Sequence, residues 1–315
     1  LASEIGVIDV EPENIKSLGR LQPGKMISVN TETGRVSYDN EVKSKVIRSK
    51  PYRRWLEKNR IELRDFFKPP KPVDMSTKEL LRAQHVFGYD KEELKIIITP
   101  MALNGQEPVG SMGVDVPLAI LSDRPQLFFN YFKQLFAQVT NPPIDPYRES
   151  LVMSLMTWLG KKRNLLDETE EHCRQLKLPH PILSPEDLTV IKESKHQELK
   201  VATLSTCFDV NGDGKTLETA IDELCKSASE KIKEGVSVLI LSDRDFSKDR
   251  VPMPSLLAVS AVNQYLIKTA ERESVGIIVE TGEARETMHY ALLIGYGANA
   301  VVPYLAFQTV RDLKN

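Results

Sequence analysis

The sequence is poor in cysteine, with three among its 315 residues. Cys173, Cys207 and Cys225 are odd in number and lack CxxC spacing, so neither a disulfide framework nor a structural zinc site is indicated. We therefore expect reduced thiols and a cytoplasmic protein.

An excess of charge of one sign and long apolar runs are also missing. Lys and Arg number 42 against 44 for Asp and Glu, a formal net charge of −2, which argues against nucleic acid as a partner. Apolar runs such as 236–241 fall far short of the roughly 20 residues that cross a bilayer, so no membrane association is predicted. The 41% hydrophobic content suffices for one large α/β domain or two smaller ones.

Catalytic motifs are equally scarce. The sequence has no GxSxG nucleophile elbow, no GxGxxG or Walker spacing and no histidines at metal-ligand spacing. The glycines of residues 110–115 would let backbone N–H groups approach a phosphate, but this stretch leads into an apolar run that predicts a strand. Residues 209–214 match the first positions of a calcium-binding loop. The match ends at the twelfth position, where Ala220 replaces the bidentate carboxylate that the loop requires. We predict no catalytic residue, no bound cofactor and no metal site in this chain.

The chain divides by composition. Residues 1–38 alternate short apolar groups with turn formers such as Pro23-Gly24, as small strands joined by tight turns do. Residues 39–75 are charged and then rich in proline, which predicts a linker. Ser76 or Thr77 is a helix cap for a helix to about residue 87, a second helix is expected near Asp90, and 76–315 is predicted to be one α/β domain.

The C-terminal half alternates strand-length apolar runs with helix-length amphipathic stretches. Strands are predicted over 201–205, 236–242, 276–281 and 299–303, and helices over 217–233, 255–273 and 283–294. This rhythm is typical of right-handed βαβ units around a parallel sheet. A (β/α) barrel and a doubly wound sheet both fit the pattern.

Charged residues cluster where two of these strands end, and they are the candidate barrel-mouth residues: Asp243, Arg244, Glu280, Glu283, Arg285 and His289. Carboxylates that converge at a barrel mouth suit acid–base chemistry. The same residues also suit helix caps and ion pairs, which is the interpretation we favour. The run LSDR occurs at both 121–124 and 241–244, and each copy is expected at the carboxyl end of a strand.

Several segments resemble the central domain of glutamate synthase. They are EPVGSMGVDVPLAILSDRP from Glu107, LFAQVTNPPIDPYRESLVMSL from Leu135, VLILSDRD from Val238, PSLLAVSAV from Pro254 and VGIIVETGEARETMHYALLIGYGANAVVPYLAF from Val275. Residues 1–38 are similar to the last strands of the family's glutamine amidotransferase domain. The resemblance implies a chain that starts inside one domain and ends before the next.

The resemblance also implies a fold and a role. The family's central domain is an α/β domain similar to its FMN-binding barrel, here preceded by a short mainly β segment. In the intact enzyme, ammonia released from glutamine reaches an FMN site, where reduction converts 2-oxoglutarate to glutamate. FMN and an iron–sulfur cluster are expected elsewhere in that enzyme, with a reductase subunit or ferredoxin as the external partner.

From the resemblance we expect a non-catalytic connector that holds the amidotransferase and FMN domains of one polypeptide in register. The candidate interface or ammonia-path loops carry glycines and prolines that favour one conformation: Gly110, Ser111, Met112, Gly113, Asp115, Asn141, Pro142, Pro143 and Arg148. The alternative is a free-standing barrel oxidoreductase that binds FMN or a phosphorylated metabolite with its mouth residues.

Overall fold

The computed structural model describes residues 4, 6–63, 74–108, 116–134, 144–210 and 214–313. The chain forms two compact units, Leu1–Glu57 and Lys58–Asn315. Within the described residues, no helix is both long enough and apolar enough to cross a bilayer.

The first unit is built around a β-hairpin. Its elements are β1 (Ile27–Asn30), β2 (Arg35–Tyr38) and α1 (Asp39–Ile47), followed by α2 (Tyr52–Asn59), which runs across the boundary between the units. The strands pair antiparallel, and Gly34 takes the positive φ of +67° that their tight turn requires. Small strands joined by a tight turn were predicted for this region, and the hairpin confirms them.

The second unit begins with short elements and one well-capped helix. They are β3 (Ile61–Glu62), α3 (Thr77–Val86), α4 (Lys91–Glu93), a wide helical turn (Leu94–Ile98), α5 (Thr99–Asn104) and α6 (Pro146–Val152). Ser76 caps α3: its hydroxyl accepts from the Glu79 N–H, while the Glu79 carboxylate accepts from the Ser76 N–H. The predicted cap and the helix near Asp90 are both confirmed.

The remaining elements alternate as the sequence pattern predicts. They are β4 (Thr157–Leu159), β5 (Leu176–Leu178), α7 (Pro185–Lys192), β6 (Val201–Ser205), β7 (Cys207–Asp209), α8 (Gly214–Lys233), β8 (Val238–Ser242), β9 (Arg250–Pro252), α9 (Ser255–Lys268), β10 (Gly276–Glu280), α10 (Thr287–Gly295), β11 (Ala300–Val302) and α11 (Tyr304–Asp312). The three cysteines are free.

A four-stranded parallel sheet is the centre of the second unit. Its order is β11-β10-β8-β6, and the register pairs Glu280 with Ser242 and Ser242 with Ser205. Strands that follow one another along the chain are neighbours, as in a (β/α) barrel, whereas a doubly wound sheet reverses its strand order. The predicted α/β class and parallel sheet are confirmed, and closure into a barrel stays a prediction.

Both faces of the sheet are buried, which explains the continuous apolar runs of its strands. Alternate residues such as Leu239 and Ile277 pack in a core with α8, α9 and α10. The opposite set, including Ile240 and Ile278, packs with residues of α7 and of a small sheet of order β3-β5-β4. Gly276 allows this second layer to approach, because a Cβ there would lie 2.4 Å from Leu159 Cδ1.

Two predicted elements differ from the structure. The first LSDR run does not follow a strand, because residues Ala119–Leu121 form a 3₁₀ turn, so the prediction that this copy lies at the carboxyl end of a strand is wrong. The helix predicted from residue 283 begins at Thr287. Residues 283–286 instead form a loop whose side chains and main chain bind neighbouring elements.

Candidate functional site

The carboxyl ends of β8 and β10 bring the predicted mouth residues together. Asp243 and Arg244 directly follow β8, Glu280 is the last residue of β10, and the other three lie on the β10–α10 loop or the start of α10. Because parallel strands end at one edge of the sheet, residues about 40 apart in sequence meet there. Every one of these carboxylates is buried or nearly so.

Asp243 is 1% exposed and binds the loop that follows β10. Its Oδ2 accepts a hydrogen bond from Thr281 Oγ1 at 2.6 Å, and both carboxylate oxygens lie 3.1 Å from the Gly282 nitrogen. Burial raises the pKa of Asp243 to about 7, although the bonds from Thr281 and Gly282 oppose that shift. The carboxylate therefore fastens one strand end to the next.

Glu280 is the acceptor of a buried ion cluster. Arg244 Nε lies 2.6 Å from one of its oxygens, and Lys192 Nζ and Ser242 Oγ lie 3.0 and 2.9 Å from the other. Burial alone would raise the pKa of Glu280, but the two cations outweigh it and lower the pKa below its usual value. The Arg244 guanidinium also lies over the Tyr304 ring, 4.0 Å from its centroid.

Glu283 caps a neighbouring helix. Its carboxylate accepts from the Ser255 N–H at 2.7 Å and from the Ser255 hydroxyl at 2.6 Å, which satisfies the first turn of α9. Burial raises the pKa of Glu283, and the two bonds from Ser255 act in the opposite direction. This carboxylate joins the β10–α10 loop to the start of α9.

Arg285 is 5% exposed and binds residues nearly 200 positions earlier in the chain. Its Nε lies 2.7 Å from the Glu93 carboxylate, and its two terminal nitrogens donate to the carbonyls of Phe87 and Gly88 at 3.0 and 3.1 Å. A further bond of 3.1 Å reaches the Glu283 carbonyl. Four of the five N–H groups of the guanidinium are thereby used inside the protein.

His289 is fully buried and holds the start of α10. Its Nδ1 accepts from the backbone N–H groups of Arg285 and Glu286 at 3.3 and 3.4 Å, and its ring stacks on Phe129 with centroids 4.3 Å apart. Burial, with smaller effects of Arg285 and Lys133, lowers the pKa of His289 to about 3. The ring is therefore neutral, and its Nε2 has no hydrogen-bond partner among the described residues.

A cleft of about 1110 Å³ borders this region. Glu283 and Arg285 line it, whereas Asp243, Arg244, Glu280 and His289 are not among its lining residues. The rest of the lining includes residues around Phe87 and Ile96 and the segment that contains Lys133. Asp90, Glu92 and Glu286 add carboxylates, so the charged residues of this largely apolar lining are mostly acidic.

The sequence pattern did not single out several partners of the mouth residues. The residues not predicted to lie here are Lys192, Glu93, Phe87 and Ser255, although each contacts a mouth residue. A Cβ at Gly282 would lie 2.5 Å from the Phe87 ring. Of these residues, only Ser255 could have been found from the sequence. It follows Pro254 at the start of an apolar helical pattern, which marks it as the first residue of a helix.

Most of the predicted interface loops lie outside the described residues: Gly110, Ser111, Met112, Gly113, Asp115, Asn141, Pro142 and Pro143. Arg148 is described; it is exposed on α6, and its N–H donates to Asp145 at 2.9 Å. The structure does not bring Arg148 together with the barrel-mouth residues through any contact among the described residues.

The two groups that the resemblance implies for the intact enzyme do not fit the described residues. Within them, no three His, Cys, Asp or Glu side chains are placed to hold a metal ion, and Cys207 and Cys225 are buried separately in the core. Arg285, the arginine that lines the cleft, is committed to protein acceptors and cannot also hold the phosphate of FMN. We derive no chemical step through either group here.

Comparison with known proteins gives the family. A family model for the glutamate synthase central domain matches residues 82–315, and one for class-II glutamine amidotransferases matches residues 1–55. The chain is 46% identical over 311 residues to the glutamate synthase [NADPH] large chain of Bacillus subtilis, and 43% identical over 315 residues to the ferredoxin-dependent glutamate synthase of Pyropia yezoensis. It is 39% identical over 327 residues to the glutamate synthase [NADH] of Schizosaccharomyces pombe.

These matches cover 99% of this chain but only 20%, 20% and 15% of the respective relatives. The match to the amidotransferase family precedes the match to the central domain in the chain. The chain therefore belongs to the glutamate synthase family, as a central domain preceded by the tail of a class-II glutamine amidotransferase domain.

Proposed function

We propose that this chain is the connecting part of a glutamate synthase and is not catalytic by itself. It holds the glutaminase and FMN domains of the same polypeptide in register, so that ammonia released from glutamine reaches the site where glutamate is made from 2-oxoglutarate. FMN and an iron–sulfur cluster belong to the intact enzyme, outside this chain. The domain limits 1–38, 39–75 and 76–315 and the cytoplasmic location stay predictions.

One observation carries this proposal: the charged groups at the carboxyl edge of the sheet bind one another and the main chain. Asp243 binds the loop after β10, Glu283 caps α9 and Arg285 binds residues 87, 88 and 93. A general acid or base needs a titratable group that faces substrate. The hydrogen bonds of these groups go to protein partners instead, although Glu283 and Arg285 border the cleft, and this favours a structural role.

The same contacts make the connector stiff. Arg285 and Gly282 fix the β10–α10 loop against residues 87–93, and His289 fixes the start of α10 through two backbone N–H groups. Transfer of a small intermediate between two sites fails when the sites drift apart by a few ångströms, so rigidity is what a connector supplies. Among the described residues, the cleft is the surface we propose to face ammonia, since its carboxylates can accept hydrogen bonds from the N–H groups of ammonia.

Relatives differ in their printed electron donors, which are NADPH, NADH and ferredoxin. We propose that the intact enzyme takes electrons from a reductase subunit or from ferredoxin.

A second candidate function is a free-standing barrel oxidoreductase that binds FMN or a phosphorylated metabolite. The volume of the cleft, about 1110 Å³, is the observation in its favour, because it is at the upper end of small-molecule sites. Its acidic lining argues against an anionic ligand.

Titration with FMN separates the two proposals. The purified chain is titrated while flavin fluorescence and the visible spectrum are followed, with a cooperative melting transition as the test that it is folded. The connector proposal predicts no saturable binding. Saturable binding that is lost in Lys133→Gln, a change to a cation of the cleft lining, and kept in Arg148→Gln, a matched loss of charge on exposed α6, would support the oxidoreductase instead.

In the intact enzyme, we expect Gly113→Ala or Pro143→Ala to reduce glutamate formation from glutamine and to spare glutamine hydrolysis. Equal loss of both activities would contradict the connecting role. The two positions belong to the loops predicted to face the neighbouring domains.

A further inference from the structure

Helix α6 and the residues that follow it expose an unusual amount of apolar surface. Tyr147 is 90% exposed, Leu151 87% and Leu155 74%. Val152, Met153 and Met156 are exposed as well. We call residues 147–156 the α6 strip; every one of its side chains is exposed. Contiguous apolar surface of this kind marks an interaction site in a soluble protein.

Helix α6 is also too short to be stable by itself. It has 7 residues, with Asp145 as its N-cap and Pro146 at its first position. Local capping of this kind favours a helix, but helices of about two turns are marginal in water unless they pack against something. Tyr147 and Leu151 lie four residues apart and therefore on one face of α6.

The length of the relatives indicates what kind of surface covers the α6 strip. Relatives that match 99% of the chain are about five times as long, since the chain spans 20% of two of them. A domain in the middle of such a polypeptide must contact other domains, and the interior of such a contact is apolar. Six of the ten strip residues are apolar, namely one tyrosine, two leucines, one valine and two methionines, and aromatic and methionine side chains are enriched in such contacts.

We propose that the α6 strip is a docking surface for an apolar face of another domain of the same polypeptide. The proposal rests on the connecting function above and gives it a specific contact. Tyr147 and Leu151 form the centre of the contact, and Met153 to Met156 extend it toward β4.

Native methionines provide the test, because buried thioethers oxidise slowly and exposed ones quickly. The intact polypeptide is treated with dilute hydrogen peroxide, and sulfoxide formation at Met153 and Met156 is followed by peptide mass spectrometry. The reference rates are those of the same methionines in guanidinium-unfolded protein and of Met253, which is 2% exposed within this domain.

We expect Met153 and Met156 to oxidise at least about tenfold more slowly than in the unfolded protein. Oxidation at the unfolded rate would overturn the proposal. Protection that disappears on dilution, together with loss of a dimer in light scattering, would mean that a second copy covers the strip and would also overturn it.

A pair of variants checks that the strip itself makes the contact. Leu151→Asp in the intact polypeptide should restore rapid oxidation of Met153 and leave Met253 protected. Leu103→Asp changes another exposed leucine, on α5, and should leave Met153 unaffected. Slow oxidation of Met153 in Leu151→Asp would contradict the proposal. Because the readout is burial rather than turnover, it can succeed or fail independently of the connecting function.

Discussion

Gly282→Ala is the substitution that most directly tests how the mouth is packed. A Cβ at this position would lie 2.5, 2.6 and 2.8 Å from three carbons of the Phe87 ring. The ring cannot easily retreat, because Phe87 is 3% exposed and has edge contacts with Phe246 and Tyr304 at 5.4 and 6.3 Å between centroids. The backbone cannot easily retreat either, since the Gly282 N–H binds Asp243 and its carbonyl accepts from Tyr89 Oη at 3.0 Å.

Overpacking of this kind destabilises a core by about 1–3 kcal/mol. We expect Gly282→Ala to lower the free energy of unfolding by about 2 kcal/mol and the melting temperature by roughly 4–8 °C. The assay is urea unfolding followed by circular dichroism. Gly295→Ala is the matched control, because no atom outside its chain neighbours and its own helix backbone lies within 4 Å of the place its new methyl group would take, and alanine is favoured over glycine within a helix by about 0.5–1 kcal/mol.

A double substitution shows whether the Phe87 ring is the cause. Gly282→Ala combined with Phe87→Leu should be less destabilised than the sum of the two single changes, by more than about 0.5 kcal/mol. Strict additivity, or a Gly282→Ala protein as stable as Gly295→Ala, would refute the packing argument.

Other perturbations of the mouth have equally definite outcomes. Arg285→Lys cannot keep the forked bonds to the Phe87 and Gly88 carbonyls and should lose about 2–4 kcal/mol in urea unfolding. Arg163→Lys is the control, because Arg163 and its partner Glu171 are both partly exposed; it should lose less than about 1 kcal/mol, and equal losses would contradict this account. The pKa of Asp243 is about 7 in the folded protein and about 4 when unfolded, so the folded state binds the extra proton and its stability falls as pH rises from about 4 to about 7. Asp243→Asn should remove that fall. The unfolding free energy of both proteins is measured at pH 5 and pH 8, and an equal change in the two would contradict this assignment to Asp243. His289, with its pKa lowered to about 3, should show no NMR titration between about pH 5 and 8, whereas a midpoint near 6.5 would contradict a buried neutral ring.

The parallel sheet could be predicted because its signal is local. Each strand buries both faces, so 238–242 and 276–280 read as uninterrupted apolar runs, and helix-length amphipathic stretches separate them. The N-cap at Ser76 is local too, since cap and partner are three residues apart. The gathering of Asp243 and Glu280 at one sheet edge follows from the strand order alone.

What could not be predicted depends on residues far apart in the chain. Arg285 reads as part of a helix in the sequence, but its bonds to Phe87, Gly88 and Glu93 hold it in a loop, and those partners lie 192 to 198 positions away. Lys192, which completes the cluster around Glu280, is 88 positions from it. The first LSDR run shares four residues with the second, but it lacks the apolar neighbours on both faces that place 238–242 in the sheet.

The connecting role is tested most directly by measuring both ends of the reaction in the intact enzyme. Glutamine hydrolysis and glutamate formation are assayed side by side in Arg285→Lys and Arg163→Lys, at a temperature where both proteins remain folded. The account predicts that Arg285→Lys hydrolyses glutamine at the normal rate, forms glutamate about threefold or more slowly and releases ammonia, while Arg163→Lys is nearly normal. Parallel loss of both activities in Arg285→Lys, with no released ammonia, would contradict the proposal that this domain connects the two sites.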